Sequence, residues 1–342
     1  MLDFIHYCAN TIACNFDKTP TGAIALFELF VLIGVAAAFL ILPKFKDQIG
    51  RRFLIVSVGV LIFEVFTAPM WHNYKMGWWA YVYRDVSWIL TIGWSALILS
   101  TVVFVDRFLS KRKESQRFAV YLAILTGLVS VLEIIVVNIG IRSYAPEVLN
   151  AVAGVFVFNV PIELLYYTPV FTSLVIAFYK YWSFSIDHAL LIPVKHQKWW
   201  RDGLIAFLGV FLFEVMIEPM VQNNHLPQWS YIFHDISIIM TSVWVAIVWL
   251  STNLVNRFLI HYGLVQRFLI TLMATAAIAL PLESWYIIHE YRVYGPSAME
   301  NFTGFMTPVT HVPVEIAFAI PCYMALVICF IRYWEIVGDN EL

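Results

Sequence analysis

Acidic side chains stand in this sequence where lipid-facing residues are expected. Residues 63–73, FEVFTAPMWHN, place Glu64 inside an apolar run, and residues 213–223, FEVMIEPMVQN, do the same with Glu214. Six more carboxyls follow at matching places: Asp85 and Asp235, Glu133 and Glu283, Glu163 and Glu315. Inserting a carboxylate at the centre of a membrane helix costs about 2.5–3.5 kcal/mol, less toward the interface, so repeated placement asks for a reason. A carboxyl kept from water holds its proton and can donate it to an apolar substrate, which is general acid chemistry. Asn73, Arg142, Asn223 and Arg292 could pair with these acids. The rings of Trp79, Tyr81, Trp229, Tyr231 and Trp285 could steady a developing cation on the substrate.

These groups need helices to carry them. The chain has 342 residues, 61% hydrophobic and 13% charged, with a mean hydropathy of +0.78, far from ordinary soluble composition. It reads as an all-α integral membrane protein with nine spans, at about 22–42, 53–70, 84–105, 118–140, 162–183, 203–220, 233–255, 266–288 and 313–333. The polar start, with Asp3, Asn10, Asn15, Asp17 and Lys18, lacks a basic signal and cleavage site, so the first span is expected to be retained. Lys44, Lys46, Arg51 and Arg52 follow the first span, a basic run from Arg107 to Arg117 the third, and Lys180 to Arg201 the fifth. This alternation places the N-terminus outside and the C-terminus in the cytoplasm. Of four cysteines, Cys8 and Cys14 could form a disulfide on the outer side or stay as thiols. No basic patch suggests nucleic acid, and no Gly-rich phosphate loop is present.

Residues 51–94 and 201–244 share about eighteen identities in forty-four positions at a fixed offset of 150. Such a period reads as a duplication. The expected organisation is an outer segment and first helix over 1–50, a four-helix repeat over 51–200 and a second over 201–342. An even number of spans makes the repeats parallel. Tracing chain direction brings all four carboxyls of each repeat to the outer end of its helices. The plainer reading is interhelical hydrogen bonding by these groups, with Asp85 and Asp235 capping helix N-termini and the aromatics forming an interfacial belt. The second copy adds His234, His289 and His311, which with nearby carboxylates are weak candidates for a metal; no cofactor is expected.

The segment 291–321, YRVYGPSAMENFTGFMTPVTHVPVEIAFAIP, resembles the membrane lycopene cyclase domain and the related carotenoid hydratases, whose signature is Pro-x-Glu-Glu opening a helix with aromatics. Residues 142–167, RSYAPEVLNAVAGVFVFNVPIELLYY, repeat it more loosely. The resemblance implies that Glu163 and Glu315 replace the motif's first Glu and that a polyene double bond is protonated. The cation then cyclises or captures water. The motif's second Glu is Leu164 in one copy and Ile316 in the other.

The sequence therefore points to an intramembrane enzyme acting on a carotenoid, polyprenoid or other lipid by carboxylate acid/base chemistry, such as cyclisation, hydration or isomerisation. A proton- or ion-coupled transporter is the first alternative, and a non-catalytic membrane subunit or lipid-binding protein the second. The expected partners are the bilayer and a hydrophobic small molecule; the sequence leaves any oligomer open.

Overall fold

A computed structural model describes residues 18–151, 154–187, 199–300 and 302–340. Cys8 and Cys14 lie outside the described residues. The described residues are mostly helical, and among them are nine long helices: α1 (Gly22–Ile41), α2 (Ile49–Thr67), α3 (Trp88–Phe108), α4 (Glu114–Asn138), α5 (Leu164–Ile186), α6 (Trp199–Ile217), α7 (Ile238–Phe258), α8 (Leu264–Ile288) and α9 (Val314–Asp339). Eight of them are long and apolar enough to cross a membrane; α5 is the exception. Its Tyr166, Tyr167, Thr168, Pro169, Thr172, Ser173 and Lys180 lower its apolarity, and every residue from Val170 to Tyr179 is buried. A helix enclosed on all sides by protein need not look like one that faces lipid.

Local sequence explains the helix ends. Thr21 caps α1, its hydroxyl accepting from the Ile24 amide at 3.3 Å. Pro69 and Pro219 turn the ends of α2 and α6 into short 3-10 segments, where a missing amide hydrogen costs least. The third span begins later than expected, at Trp88, because residues 81–87 form a hairpin instead of a helical turn. Asp85 and Asp235 accordingly sit in hairpin turns, not at N-caps. Those caps are Ser87 and Ser237.

Two compact units divide the chain. One gathers Met1–Ser110, Ala119–Pro169 and Pro296–Asn301; the other gathers Lys111–Phe118, Val170–Gly295 and Phe302–Leu342. In the first, α3 packs on α1 and α2, and a core of Ile24, Val31, Met76, Ala80, Ile89, Leu90, Val136 and Ile141 ties these helices to the loops above. Gly93 permits the close approach of α3 to α1, since a Cβ there would meet Val31 at 3.0 Å. In the second, α6, α7, α8 and α9 each pack against the next, and α9 returns to α6, as in a four-helix bundle.

Short two-stranded ladders stand above the helices. In the first unit β1 (Trp71–Asn73) pairs antiparallel with β4 (Arg142–Tyr144), which sets Asn73 opposite Arg142, and β2 (Tyr81–Tyr83) pairs with β3 (Val86–Ser87). There too β5 (Phe156–Val157) pairs with β6 (Val160–Pro161). In the second, β7 (Val221–Asn223) pairs with β10 (Arg292–Tyr294), setting Asn223 opposite Arg292, and β8 (Tyr231–Phe233) pairs with β9 (Ile236–Ser237). Apolar periodicity could not disclose ladders of two or three residues.

Candidate functional site

Glu133 lies on the last turns of α4, and the chain reverses just beyond it. The Gly140 amide donates to the Val137 carbonyl and the Ile141 amide to that of Val136, with Gly140 left-handed at φ +81°, which is a Schellman ending. The reversal feeds β4, whose alternate residues share a face. Arg142 and Tyr144 therefore both reach back to Glu133. Arg142 Nη1 donates to Glu133 Oε2 at 3.0 Å, Tyr144 donates to Oε1 at 2.9 Å, and Arg142 Nε donates to Asn73 Oδ1 at 3.0 Å. The guanidinium also lies 5.6 Å from the centre of the Trp71 ring.

Burial works against the charge on Arg142, but Glu133, Tyr144 and Glu64 outweigh it and hold the guanidinium above its ordinary value. Tyr144 is pushed well up, by burial first and then by Glu133. The cluster is thus an anchored ion pair with a neutral phenol attached. Glu64, near the end of α2, is buried and hydrogen-bonded to Thr91 on α3. Asp85 is buried as well, its Oδ2 lying 3.0 Å from His72 Nδ1, while the Asn73 amide donates to its carbonyl at 2.9 Å.

The second unit builds the same parts with different fits. Tyr294 donates to Glu283 Oε1, and Thr241 is hydrogen-bonded to Glu214. Arg292 Nη2 reaches Asn223 Oδ1 at 3.3 Å, while Nη1 stands 3.4 Å from Glu283 Oε2. Burial opposes the charge on Arg292, and Glu283, Tyr294 and Glu214 again raise it; burial and then Glu283 push Tyr294 well up. Arg292 lies over the Trp244 ring at 5.6 Å and the Tyr286 ring at 6.0 Å. Asp235 offers its carbonyl to the Asn223 amide at 2.8 Å, but the histidine differs: His234 Nδ1 lies 3.6 Å from Glu218, where the first copy has Arg84 and Ala68.

The structure thus brings Glu64, Glu133, Arg142, Asn73 and Asp85 into one neighbourhood, and Glu214, Glu283, Arg292, Asn223 and Asp235 into another. Glu315 turns to its own loop, its Oε1 accepting the Thr303 amide at 2.7 Å. Glu163 stands just before α5, and its carbonyl accepts the amides of Tyr166 and Tyr167. Tyr81 and Tyr231 brace loops by donating to the Asn73 and Asn223 carbonyls. Trp79, Trp229 and Trp285 are exposed at the rim and stand apart from the role of lining the acids. The rings that do so are Tyr144, Tyr294, Trp71, Trp244 and Tyr286.

The sequence does not single out Thr91 and Thr241, although they are identical across the 150-residue offset. Among the described residues, no group of three or more His, Cys, Asp or Glu could hold a metal, and His289 and His311 do not join His234. Cys322 and Cys329 are free thiols.

A second polar network occupies the other end of the second unit's helices. Glu114 accepts from Tyr333 at 2.5 Å, pairs with Lys180 at 3.1 Å and pairs with Arg117. Arg332 pairs with Glu335, and Arg201 bridges Asp202 and Asp339 at 3.0 and 2.6 Å. No family model, curated protein or solved structure matches the chain.

Proposed function

We propose that this protein is an intramembrane enzyme that protonates a carotenoid, polyprenoid or other lipid, with Glu64 and Glu214 as acids. One observation carries the reading. Thr91 Oγ1 contacts both Glu64 and the Ser87 carbonyl, the latter at 3.0 Å, and Thr241 Oγ1 contacts both Glu214 and the Ser237 carbonyl at 3.1 Å. A hydroxyl has one hydrogen and cannot donate to both. If the backbone carbonyl takes it, the carboxyl must supply the other proton, so each Glu is an acid holding its hydrogen against a threonine. Neither forms an ion pair among the described residues, whereas Glu133 and Glu283 sit beside arginines and can accept or stabilise charge.

Apolar access is supported by exposed Trp78, Phe158, Trp229 and Val309 on the loops beside the helix ends. In this reading the 150-residue correspondence is a duplication of four spans following one extra helix, nine spans in all. Basic-residue alternation puts the N-terminus and both acid clusters on the non-cytoplasmic side. The likeness to the lycopene cyclase domain supports a polyene as substrate.

The test is production in a host supplied with lycopene and other linear polyprenoids, followed by lipid and pigment analysis. Glu64→Gln and Glu214→Gln should each lower product from their own site by about 100-fold or more, the usual contribution of a general acid. Unaltered lipids in the wild type under broad substrate supply would sink the proposal. Ionisable groups at both ends of α6 and α9 favour a second reading, proton-coupled transport. Uptake into vesicles that requires a proton gradient and is lost in Glu214→Gln would decide for it.

A further inference from the structure

Within the second cluster three buried polar atoms have no hydrogen-bond partner among the described residues: Glu283 Oε2, Arg292 Nε and the Trp244 indole nitrogen. Glu283 is 0% exposed and Trp244 4%. Arg292 adjoins both, its Nη1 3.4 Å from Glu283 Oε2 without the alignment of a hydrogen bond, and its guanidinium over the Trp244 ring. In the first cluster the corresponding guanidinium is turned so that Nε meets Asn73 and Nη1 meets Glu133, each at 3.0 Å. The first cluster uses its own donors; the second leaves them available.

We propose that the second cluster binds a hydroxyl oxygen, that of a lipid alcohol or of water, between Glu283, Arg292 and Trp244. The three atoms offer two N–H donors and one carboxylate acceptor. A hydroxyl has one hydrogen for Glu283 and lone pairs for the two N–H groups, which matches the set. A carbonyl oxygen has nothing to donate to Glu283. A phosphate would place its charge against the carboxylate, and a bare hydrocarbon would leave all three atoms unmet. The inference rests on reading this cluster as a lipid site and adds the chemical group it recognises. It also makes the two clusters unequal, with hydroxyl recognition in the second alone.

The test uses the full-length protein in phosphatidylcholine nanodiscs and measures binding of geranylgeraniol against its parent hydrocarbon. The wild type should prefer the alcohol by about tenfold or more, the scale of one hydrogen bond to a charged partner. Trp244→Phe and Glu283→Gln should bring that ratio within about threefold. The equivalent first-copy variant Trp94→Phe should leave it unchanged. Hydrocarbon binding should be the same in all, which shows that the variants are folded.

If the alcohol is not preferred, an infrared O–H band that shifts in H2(18)O and is missing from Trp244→Phe assigns the oxygen to water. The absence of both the preference and the band overturns the proposal. No turnover is read, so inactive protein that still discriminates the alcohol would refute only the acid chemistry. Active protein without discrimination would refute only the hydroxyl site.

Discussion

Replacing Arg142 by methionine should expose how the first cluster is held. The substitution keeps an unbranched side chain but leaves Glu133, 2% exposed, without its counter-ion. Removing one partner of a buried pair costs about 3–5 kcal/mol, because the remaining charge stays desolvated. Glu133→Gln in the same chain should recover much of that loss, which makes the double-mutant cycle informative.

The second copy provides the comparison. Arg142 makes an aligned hydrogen bond to Glu133 at 3.0 Å, whereas Arg292 stands 3.4 Å from Glu283 without one. One hydrogen bond between charged groups is worth about 1.5–3 kcal/mol, so the Arg142–Glu133 coupling should exceed that of Arg292–Glu283 by about that amount. Reversible unfolding in mixed micelles with increasing dodecyl sulfate measures all seven proteins of the two cycles, which share the wild type. Equal couplings in the two copies, or a first coupling below about 0.5 kcal/mol, would refute the reasoning, because exposed pairs already reach that value.

Two further outcomes follow from the loops. The chain turns left-handed after α8 at Glu290, φ +57°, where the first copy has Gly140 at φ +81°. Glu290→Gly should therefore stabilise the protein by about 1 kcal/mol, read as a shift in the unfolding midpoint, while Gly140→Ala should destabilise it by a similar amount. Tyr144, held neutral by burial and by Glu133, keeps its proton in the folded state when the unfolded chain has lost it. Its contribution is intact below about pH 10 and falls as pH rises beyond, by about 1.4 kcal/mol per pH unit for one proton. Tyr144→Phe should flatten the unfolding free energy between about pH 10 and 11.5 by that slope.

The long helices were legible because a bilayer asks for continuous apolar runs, and such runs survive any choice of neighbours. Their edges were less so. Residues 84–87, Arg-Asp-Val-Ser, adjoin the apolar run that opens at Trp88, yet the backbone turns there through Arg84 at φ +48°, a conformation its side chain does not announce. The same holds at Lys75, His225 and His234, all left-handed without being glycine.

The acids were found because charge in an apolar run stands out. Their closest partners were hidden for the opposite reason, since Thr91 and Thr241 are unremarkable within a membrane helix. Lys180, by sequence one of the cations flanking a loop, lies within α5 and pairs with Glu114. Tyr333 and Glu114 stand 219 residues apart, a contact that no local spacing encodes.

The network around Glu114 has a consequence for the second acid cluster, because α9 is fixed at both ends. At one end Tyr333 and Lys180 hold Glu114, and Arg201 on α6 reaches Asp339 on α9 at 2.6 Å. Nearer the other, Tyr323 of α9 stacks on Phe213 of α6 at 3.8 Å, beside Glu214 in sequence. Asp339 and Tyr323 are sixteen residues apart, about 24 Å along the helix. A sliding motion of α9 against α6 would have to break the half-buried Arg201–Asp339 pair and the ring stack together. A ring stack is worth about 0.5–1.5 kcal/mol and a partly exposed pair about 1 kcal/mol or less, and the two contacts together favour one register of the helices. A carboxyl acting on a lipid gains from that rigidity, because a displacement of about 1 Å at the acid can cost about 100-fold in rate.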